Sequence, residues 1–390
     1  MKKIIFILLL SILLNPIYIF AEEKQEEQKE EIALIKNATS GLLMEESTGQ
    51  IIYEKDKDKQ VAVASMTKMV AQIIILENIE SKKIKWTDVV TVSKNAADMG
   101  GSQIYLAANE KMTVKDLFKG ISMASANDAT VAMAEHISGS ENKFVQLMNQ
   151  KVKELGLKNT AFKNSTGLDE EGHFSSAYDM AIIAKNLLSH EEILNFSGVY
   201  EDYLRVNTPN KFWLVNTNKL VRTYSGSDGL KTGHTDAAKY CIAATAKRNN
   251  MRLIAIVLGE DTAAIRNKEA MELLDYGFNN KQLKIIKKKN EIIKTLTLDK
   301  STRNSISIKP EKDITILTDK GVNNNKYSTK LNINKIKLPL KKNQVVGSIT
   351  VYQDNKKIVT KNLIVTSSVE KLSYLKLLLN NLKNISTGIL

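Results

Sequence analysis

The sequence of 390 residues predicts an α/β domain over residues 35–278, a small all-β domain over residues 280–367 and an amphipathic helix over residues 368–390. β-prone runs at both ends of the first region enclose segments with a helical period, which is the pattern of an α/β domain. After Asn280 the chain contains short β-prone runs such as "SISI" and "DITILT", with almost no helical period. This change indicates a separate all-β domain.

Two hairpins predict the sheet of the α/β domain. The segment "SGLLMEESTGQIIYEKD", from Ser40 to Asp56, has apolar strands on each side of a Ser-Thr-Gly turn. The segment "KYCIAATAKRNNMRLIAIVLG" contains two β-rich runs joined by a polar turn at Asn249-Asn250. A helix from about Ala263 to Tyr276 closes the region.

The segments between the hairpins predict helices. Residues 63–76, "VASMTKMVAQIIIL", are nearly all apolar beyond the lysine and predict a deeply buried helix. Two helical patterns between Thr113 and Glu135 are interrupted at "ASAN". Thr113 is a candidate N-cap for the first, and Asn127 or Asp128 for the second. Residues 175–188 predict another amphipathic helix.

The first residues are predicted to be a targeting segment. Lys2 and Lys3 precede the apolar run "IIFILLLSILL", and the small residue Ala21 follows, so residues 1–21 read as a cleaved secretory signal peptide. A permanent membrane anchor is the competing interpretation, although the run is short for a full span. No cysteine directly follows the run, which argues against a lipoprotein anchor. Residues 22–34 then form a polar leader on an exported chain.

Charge and cysteine usage restrict the partners. Cys241 is the only cysteine, so no intramolecular disulfide can form. The formal net charge is +13, with basic runs such as "KIIKKKN" in the last third of the chain. Export argues against nucleic acid as the partner, so an anionic membrane or the cell-wall surface is the better expectation. We expect neither a metal ion nor a cofactor.

Ser65 and Lys68 are three residues apart, so on a helix their side chains leave the same face at adjacent levels. One interpretation is a serine-capped helix start with the lysine stem lying on apolar surface. The other is a nucleophile beside its base, because a serine hydroxyl is unreactive at neutral pH without one. Lowering a lysine pKa to about 7 takes about 4 kcal/mol. Burial supplies part of this, and a second nearby cation can supply more.

Three short motifs occur in order along the chain. Ser-x-x-Lys and Ser-x-Asn are weak signals alone, because both also occur elsewhere in the sequence. The ordered set is Ser65-x-x-Lys68, Ser125-x-Asn127 and Lys231-Thr232-Gly233. Each motif also has a suitable local context: a buried helix start, a break between two helices and a strand leading into a hairpin.

This set resembles the penicillin-binding proteins and class A β-lactamases. More closely, the chain is similar to the low-molecular-mass penicillin-binding proteins that act as serine-type D-alanyl-D-alanine carboxypeptidases. The likeness covers nearly the whole mature chain, and its matching segments are "ASMTKM", "SANDATVAMAEHISGS", "LGLKNTAFKNSTGLD", "SAYDMA", "GLKTGHT" and "PLKKNQVVGSI". Two departures are the Ser-Ala-Asn motif, where Ser-Gly-Asn is commoner, and Lys239, where family members often have glycine.

The resemblance implies a penicillin-binding/β-lactamase-like fold, an antiparallel sheet flanked by helices. It implies removal of the terminal D-alanine from peptidoglycan stem pentapeptides through an acyl-enzyme on Ser65, at the extracytoplasmic face of the membrane. β-Lactams are expected to acylate the same serine. Lys68 would be the base, Ser125 would pass the proton towards the leaving amine, and Asn127 would hold a substrate amide.

The remaining predicted site residues bind substrate. Lys231 and Thr232 suit a terminal carboxylate, and Gly233 lets a substrate strand lie close to the backbone. By resemblance, the backbone N–H groups of the nucleophile and of His234 would form the oxyanion hole. Arg266, in "AAIRNKE", matches the family's carboxylate-binding arginine.

Other functions stay open from the sequence. The segment "EEILN", Glu191 to Asn195, matches the motif that supplies the deacylating carboxylate of class A β-lactamases, but it lies later in the chain than in those enzymes. A non-catalytic envelope protein that binds penicillin or peptidoglycan is a further alternative. Endopeptidase activity on cross-links uses the same chemistry as the carboxypeptidase reaction.

The last segment, "SVEKLSYLKLLLNNLKNIS", predicts a helix that lies in a membrane interface, since it is too short and too polar to span a bilayer. Packing on its own domain is the alternative. The apolar face comprises Leu372, Leu375, Leu378, Leu379, Leu382 and Ile385. The polar face comprises Lys376, Asn380, Lys383 and Asn384.

Overall fold

A computed structural model describes residues 33–322 and 326–386 of the chain. The predicted signal peptide, residues 1–21, and nearly all of the leader lie outside the described residues. Both therefore stay predictions.

The longer described helices are α1 to α7: Lys68–Glu80, Val114–Lys119, Asn127–Ser138, Glu141–Glu154, Ala177–Ser189, Ala263–Asn280 and Tyr374–Ser386. Shorter helical turns cover Ala64–Thr67, Lys94–Ala97, Gly120–Ala124, Glu191–Ile193, Leu194–Ser197 and Leu220–Thr223. Strands β1 to β9 are Ser40–Glu45, Ile51–Lys55, Val89–Thr91, Lys111–Thr113, Glu201–Leu204, Phe212–Val215, Ser227–Thr235, Lys239–Arg248 and Met251–Glu260. Strands β10 to β16 are Lys281–Lys287, Lys294–Thr297, Ser305–Pro310, Ile314–Asp319, Tyr327–Ile333, Val345–Gln353 and Lys356–Val365.

The main sheet is antiparallel and has the order β2-β1-β9-β8-β7. Both predicted hairpins are present, and the first and last strands of the α/β region meet in one sheet. Alternate residues of β1 face opposite sides, as the pleat requires. Leu42 and Met44 pack into the core around α1, whereas Leu43 packs into the second core with Leu273 and Leu274 of α6. Helices therefore cover both faces of the sheet.

The buried helix begins later than the sequence pattern suggests. Residues Ala64–Thr67 form a 3-10 turn, and α1 starts at Lys68 without a side-chain cap. From Lys68 to Leu76 every residue is buried, as predicted. Burial on all sides means that α1 runs through the core rather than along the surface.

One predicted N-cap is present and one is wrong. The Thr113 hydroxyl accepts a hydrogen bond from the Asp116 N–H at the start of α2. Helix α3 instead has Ala126 at its N-cap position, with no side-chain hydrogen bond. Asn127 donates its amide to the Gly100 carbonyl, and Asp128 accepts from backbone N–H groups of residues 104 and 106. Their side chains are thus used to fix a loop instead of capping the helix.

The second domain is all-β, as the sequence predicts. Its sheets have the orders β11-β12-β16-β15-β14 and β10-β13. Its core contains buried residues such as Ile308, Val351 and Leu363. Strand β10 starts at Lys281, directly after α6 ends at Asn280.

Helix α7 exposes a row of leucines. Leu375, Leu378, Leu379 and Leu382 are each more than half exposed, at 68%, 57%, 56% and 54%. Among the described residues, no helix combines the length and apolarity needed to cross a bilayer.

Candidate active site

Ser65 and Lys68 meet at the start of α1. Lys68 Nζ lies 2.8 Å from Ser65 Oγ and donates a second hydrogen bond of 2.6 Å to the Thr166 carbonyl. The lysine is fully buried, and this burial holds its pKa well below the usual range. The charge of Lys231 lowers that pKa further, and Asp128 opposes the shift. A neutral amine next to the hydroxyl can accept its proton.

A second lysine–serine pair faces the first from the sheet. Lys231 Nζ on β7 donates to Ser125 Oγ at 2.8 Å and to the Thr232 carbonyl at 2.9 Å. Burial, followed by the charge of Arg266, lowers the pKa of Lys231 to about 7. Ser125 follows a π-helical turn and has a left-handed backbone with φ of 63°. This sharp turn directs the serine towards the strand.

The cleft beside Ser65 has a volume of about 360 Å³. Its lining residues are Ser65, Gly101, Ser102, Asn127, Thr166, Gly167, Leu168, His234 and Thr235. Asn127 Oδ1 is buried there and has no hydrogen-bond partner among the described residues. Because an unpaired buried amide oxygen is costly, it is suited to accept a hydrogen bond from a bound molecule.

Two glycines allow backbone segments to approach Ser65. A Cβ on Gly233 would lie 2.6 Å from the Val63 carbonyl oxygen and 3.2 Å from the Ser65 nitrogen. A Cβ on Gly167 would lie 1.9 Å from the Ala64 carbonyl oxygen. Gly167 also has a positive φ of 85°, which favours glycine.

The other predicted site residues, Thr232, His234 and Arg266, differ from one another in burial and in their partners. Thr232 is buried, and its hydroxyl donates to that of Thr217 at 2.8 Å. His234 is exposed, and its ring stacks on Tyr240 with centroids 4.1 Å apart. Arg266 is buried, donates to Asn267 Oδ1, and is 3.4 Å from the Cys241 carbonyl. It does not line the cleft.

Lys239, the departure noted in the third motif region, is exposed and forms an ion pair of 2.6 Å with Asp261. Its side chain does not line the cleft beside Ser65.

The β-lactamase-like segment does not line the cleft beside Ser65. Glu191 and Glu192 lie on an exposed helical turn after α5. Glu192 and Asn195 line a separate cavity with Lys115 and Lys119. The observed cleft therefore lacks a carboxylate from this segment.

Sequence reasoning missed several residues that shape the site. Thr166 supplies the carbonyl that binds Lys68, and Thr217 supports Thr232. Asp128 fixes the loop that contains Gly101 and Ser102. The run "NSTG" at 164–167 was a visible signal, whereas an isolated threonine at 217 gave none.

Two lysine–serine pairs meet at this site, Lys68 with Ser65 among the helices and Lys231 on edge strand β7 with Ser125. This arrangement defines an active-site serine hydrolase of the penicillin-binding class. A family model described as "D-alanyl-D-alanine carboxypeptidase" matches residues 23–262, and one described as "Penicillin-binding protein 5, C-terminal domain" matches residues 281–371. The chain belongs to the D-alanyl-D-alanine carboxypeptidase family, and it is a serine-type hydrolase that removes a terminal D-alanine.

Individual relatives agree with this assignment. D-alanyl-D-alanine carboxypeptidase DacF of Bacillus subtilis is 45% identical over 97% of this chain and 97% of that relative. The crystal structure of penicillin-binding protein 5 from Haemophilus influenzae has a TM-score of 0.69 and 32% identity, covering 86% of this chain and 98% of that one. Penicillin-binding protein D2 from Listeria monocytogenes, solved in the ampicillin-bound form, has a TM-score of 0.56 and 30% identity, covering 62% and 97%.

Proposed function

We propose that Ser65 is the nucleophile of the carboxypeptidase reaction on peptidoglycan stem pentapeptides and that Lys68 is its base. The observation that carries this proposal is the 2.8 Å contact between Lys68 Nζ and Ser65 Oγ at a fully buried lysine. Ser65 Oγ attacks the carbonyl carbon of the penultimate D-alanine while Lys68 takes the hydroxyl proton. The C–N bond then breaks, and the terminal D-alanine leaves with a proton delivered through Ser125. Water hydrolyses the resulting ester.

The substrate-binding roles follow from position and charge. Lys231 and Thr232 would hold the terminal carboxylate, with Arg266 adding positive charge from behind β8. Asn127 Oδ1 would accept a hydrogen bond from a substrate amide. Gly233 lies on β7, which is an edge strand, so an extended peptide could pair with it. The N–H groups of Ser65 and His234 are proposed as the oxyanion hole.

β-Lactams are proposed to acylate Ser65, because their strained amide has the same reacting carbonyl. The test measures D-alanine release from diacetyl-Lys-D-Ala-D-Ala by the wild type and Ser65→Ala. We expect release by the wild type alone, and equal release would remove Ser65 as the nucleophile. Fluorescent penicillin followed by peptide mapping should place the label on Ser65. Hydrolysis of the adduct within milliseconds would instead favour a β-lactamase.

We further propose that the enzyme acts at the extracytoplasmic face of the cytoplasmic membrane, in the periplasm or cell wall, with α7 as a peripheral anchor. The exposed leucines of α7 and the basic charge of the chain support this. Nucleic acid is not an expected partner.

The anchor is tested by removing the chain from Tyr374 onward. Leu340 pairs with Val369, and the Leu372 N–H donates to the Lys300 carbonyl, so a truncation before these residues would damage the β domain itself. We expect the truncated enzyme to keep its activity on the peptide but to lose binding to vesicles that contain phosphatidylglycerol. Retained binding would contradict the anchor. The variant Leu378→Glu with Leu379→Glu should reproduce the loss in the full chain.

A further inference from the structure

His173 is a buried histidine beside the site that the proposed mechanism does not use. It lies between α4 and α5 in the segment "GHFSSAYDM" and is 8% exposed. The following residues pair with neighbouring backbone: Phe174 with Ala161, and Ser175 with Val61. Residues 174 and 175 are therefore paired with two different stretches of chain, and the one at Val61 leads to Ser65.

Both ring nitrogens of His173 have partners. The Lys163 N–H donates to Nδ1 at 3.2 Å, so Nδ1 carries no proton. In the neutral ring the proton must then be on Nε2, which lies 2.8 Å from the Thr67 hydroxyl oxygen. His173 therefore accepts from the Lys163 backbone and donates to the Thr67 side chain.

These two partners belong to two chain segments that meet at Lys68. Thr67 directly precedes Lys68 in the chain, and Lys163 begins the loop that ends at Gly167. Asn164 Oδ1 accepts from the N–H groups of Thr166 and Gly167, at 3.3 Å and 2.7 Å, which gives the loop its turn. The Thr166 carbonyl then binds Lys68 Nζ at 2.6 Å. The contacts thus form a closed path: Lys68 binds the loop at Thr166, the loop binds His173 at Lys163, and His173 binds Thr67, the neighbour of Lys68.

We propose that His173 is a positioning residue that holds loop 163–167 against the start of α1, so that water is kept from Lys68 and the amine stays neutral. This inference rests on the proposed roles of Ser65 and Lys68. An ordinary core histidine would also be buried and hydrogen-bonded, but its bonds would not both end on segments that contact the base.

The charge state of His173 is compatible with this role. Burial lowers its pKa to about 4; Glu170 and Asp169 oppose the shift, and Lys163 and Lys68 add to it. The ring is therefore neutral over the working pH range, and Nδ1 can accept from Lys163 throughout. Around Lys68 itself, the charged groups are Lys231 and Asp128.

The test uses His173→Phe, which keeps a buried ring but removes both hydrogen bonds. Its matched control is His190→Phe, because His190 is also buried and bonds through its ring to Glu80, and neither residue lines the cleft beside Ser65. Acylation of Ser65 by fluorescent penicillin is followed from pH 5 to 10, with the unfolding temperature of each variant. Wild-type labelling at Ser65 is established first, so that failure of the proposed nucleophile is recognised separately.

We expect His173→Phe to lower the acylation rate by about tenfold or more and to move the acid limb of the pH profile to higher pH. The sign follows because water that reaches Lys68 stabilises the ammonium and raises its pKa. His190→Phe should lose stability but keep the wild-type rate and acid limb. A wild-type acid limb in His173→Phe, or an equal change in His190→Phe, would overturn the proposal.

Thr67→Val provides an independent route if His173→Phe does not fold. It removes the hydroxyl that binds Nε2 and should shift the acid limb in the same direction. In the double variant the two losses should not add, since both break the same link. Full additivity, or an unshifted limb in Thr67→Val, would contradict a link through this hydroxyl.

Discussion

Gly233 on β7 lies directly against the backbone of Val63, the residue that precedes the 3-10 turn carrying Ser65. A Cβ at position 233 would lie 2.6 Å from the Val63 carbonyl oxygen. The sheet and the segment that carries Ser65 are thus in contact here, with no room for a side chain between them. We expect this close approach to set the width of the cleft beside Ser65.

Gly233→Ala should therefore widen the cleft and misplace Ser65. We expect kcat/KM on the tripeptide to fall by about 100-fold, the scale expected for a displacement of about 1 Å. Gly139→Ala is a matched control, since Gly139 has a φ of 79° and open space around it at the end of α3. That control should lose stability but retain kcat/KM. Unchanged kinetics in Gly233→Ala would disprove the steric argument.

Because of Lys231, the free energy of unfolding should increase as the pH rises from 7 to 10. Its folded pKa of about 7 lies below the ordinary value of 10.5, so the unfolded chain binds more protons across this window. The free energy of unfolding then increases with pH, by at most roughly 4 kcal/mol from this residue. Urea denaturation of Lys231→Met should show a smaller slope than the wild type. The exposed Lys342→Met should match the wild type, and equal slopes for all three proteins would refute the prediction.

Arg266 should set the pH at which Lys231 loses its proton. It contributes to the lowered pKa of Lys231, so Arg266→Gln should raise that pKa. If carboxylate binding requires a charged Lys231, KM rises as this lysine loses its proton, and the rise should occur at higher pH in Arg266→Gln. Steady-state KM measured from pH 5 to 10 provides the test. Arg266→Lys keeps the charge and should leave the profile near wild type; a common profile for both variants would exclude this coupling.

Asp128 should be a major contributor to stability. It is fully buried and accepts hydrogen bonds from the backbone N–H groups of Ile104, Leu106 and Ala129. Asp128→Ala leaves these donors without a partner, so we expect a loss of about 3 kcal/mol in the free energy of unfolding. Urea denaturation measures it, with the exposed Asp299→Ala as the control. A loss below that of the control would show that water replaces the carboxylate at no cost.

Much of the fold and the core of the site could be predicted because the relevant signals are local. Residues three apart lie on the same side of both a 3-10 turn and an α-helix, so Ser65 and Lys68 were expected to meet although the helix starts later than predicted. Hairpin turns likewise lie next to the strands they join.

The parts that sequence reasoning missed depend on distant contacts or exposed strands. Thr166 and His173 act on Lys68 or its neighbour from about 100 positions away, and no periodic pattern reports such a contact. Strand β14, "YSTKLNI", was missed although its residues alternate as in a strand, because the run is short and largely polar and nearly all of it is exposed. The one wrong N-cap prediction has a similar cause, since the competing partners of the Asn127 and Asp128 side chains are not visible in the sequence.

The assembly of the site from two sides has a consequence for inactivation. Ser65, Lys68 and Ser125 belong to the helical side, whereas Lys231 belongs to the sheet, and among these four residues the two sides are joined by one hydrogen bond of 2.8 Å, from Lys231 Nζ to Ser125 Oγ. A slight loosening between them would separate the groups while every helix and strand stayed intact. Dilute denaturant should thus abolish D-alanine release at concentrations well below those that change the circular dichroism of the protein.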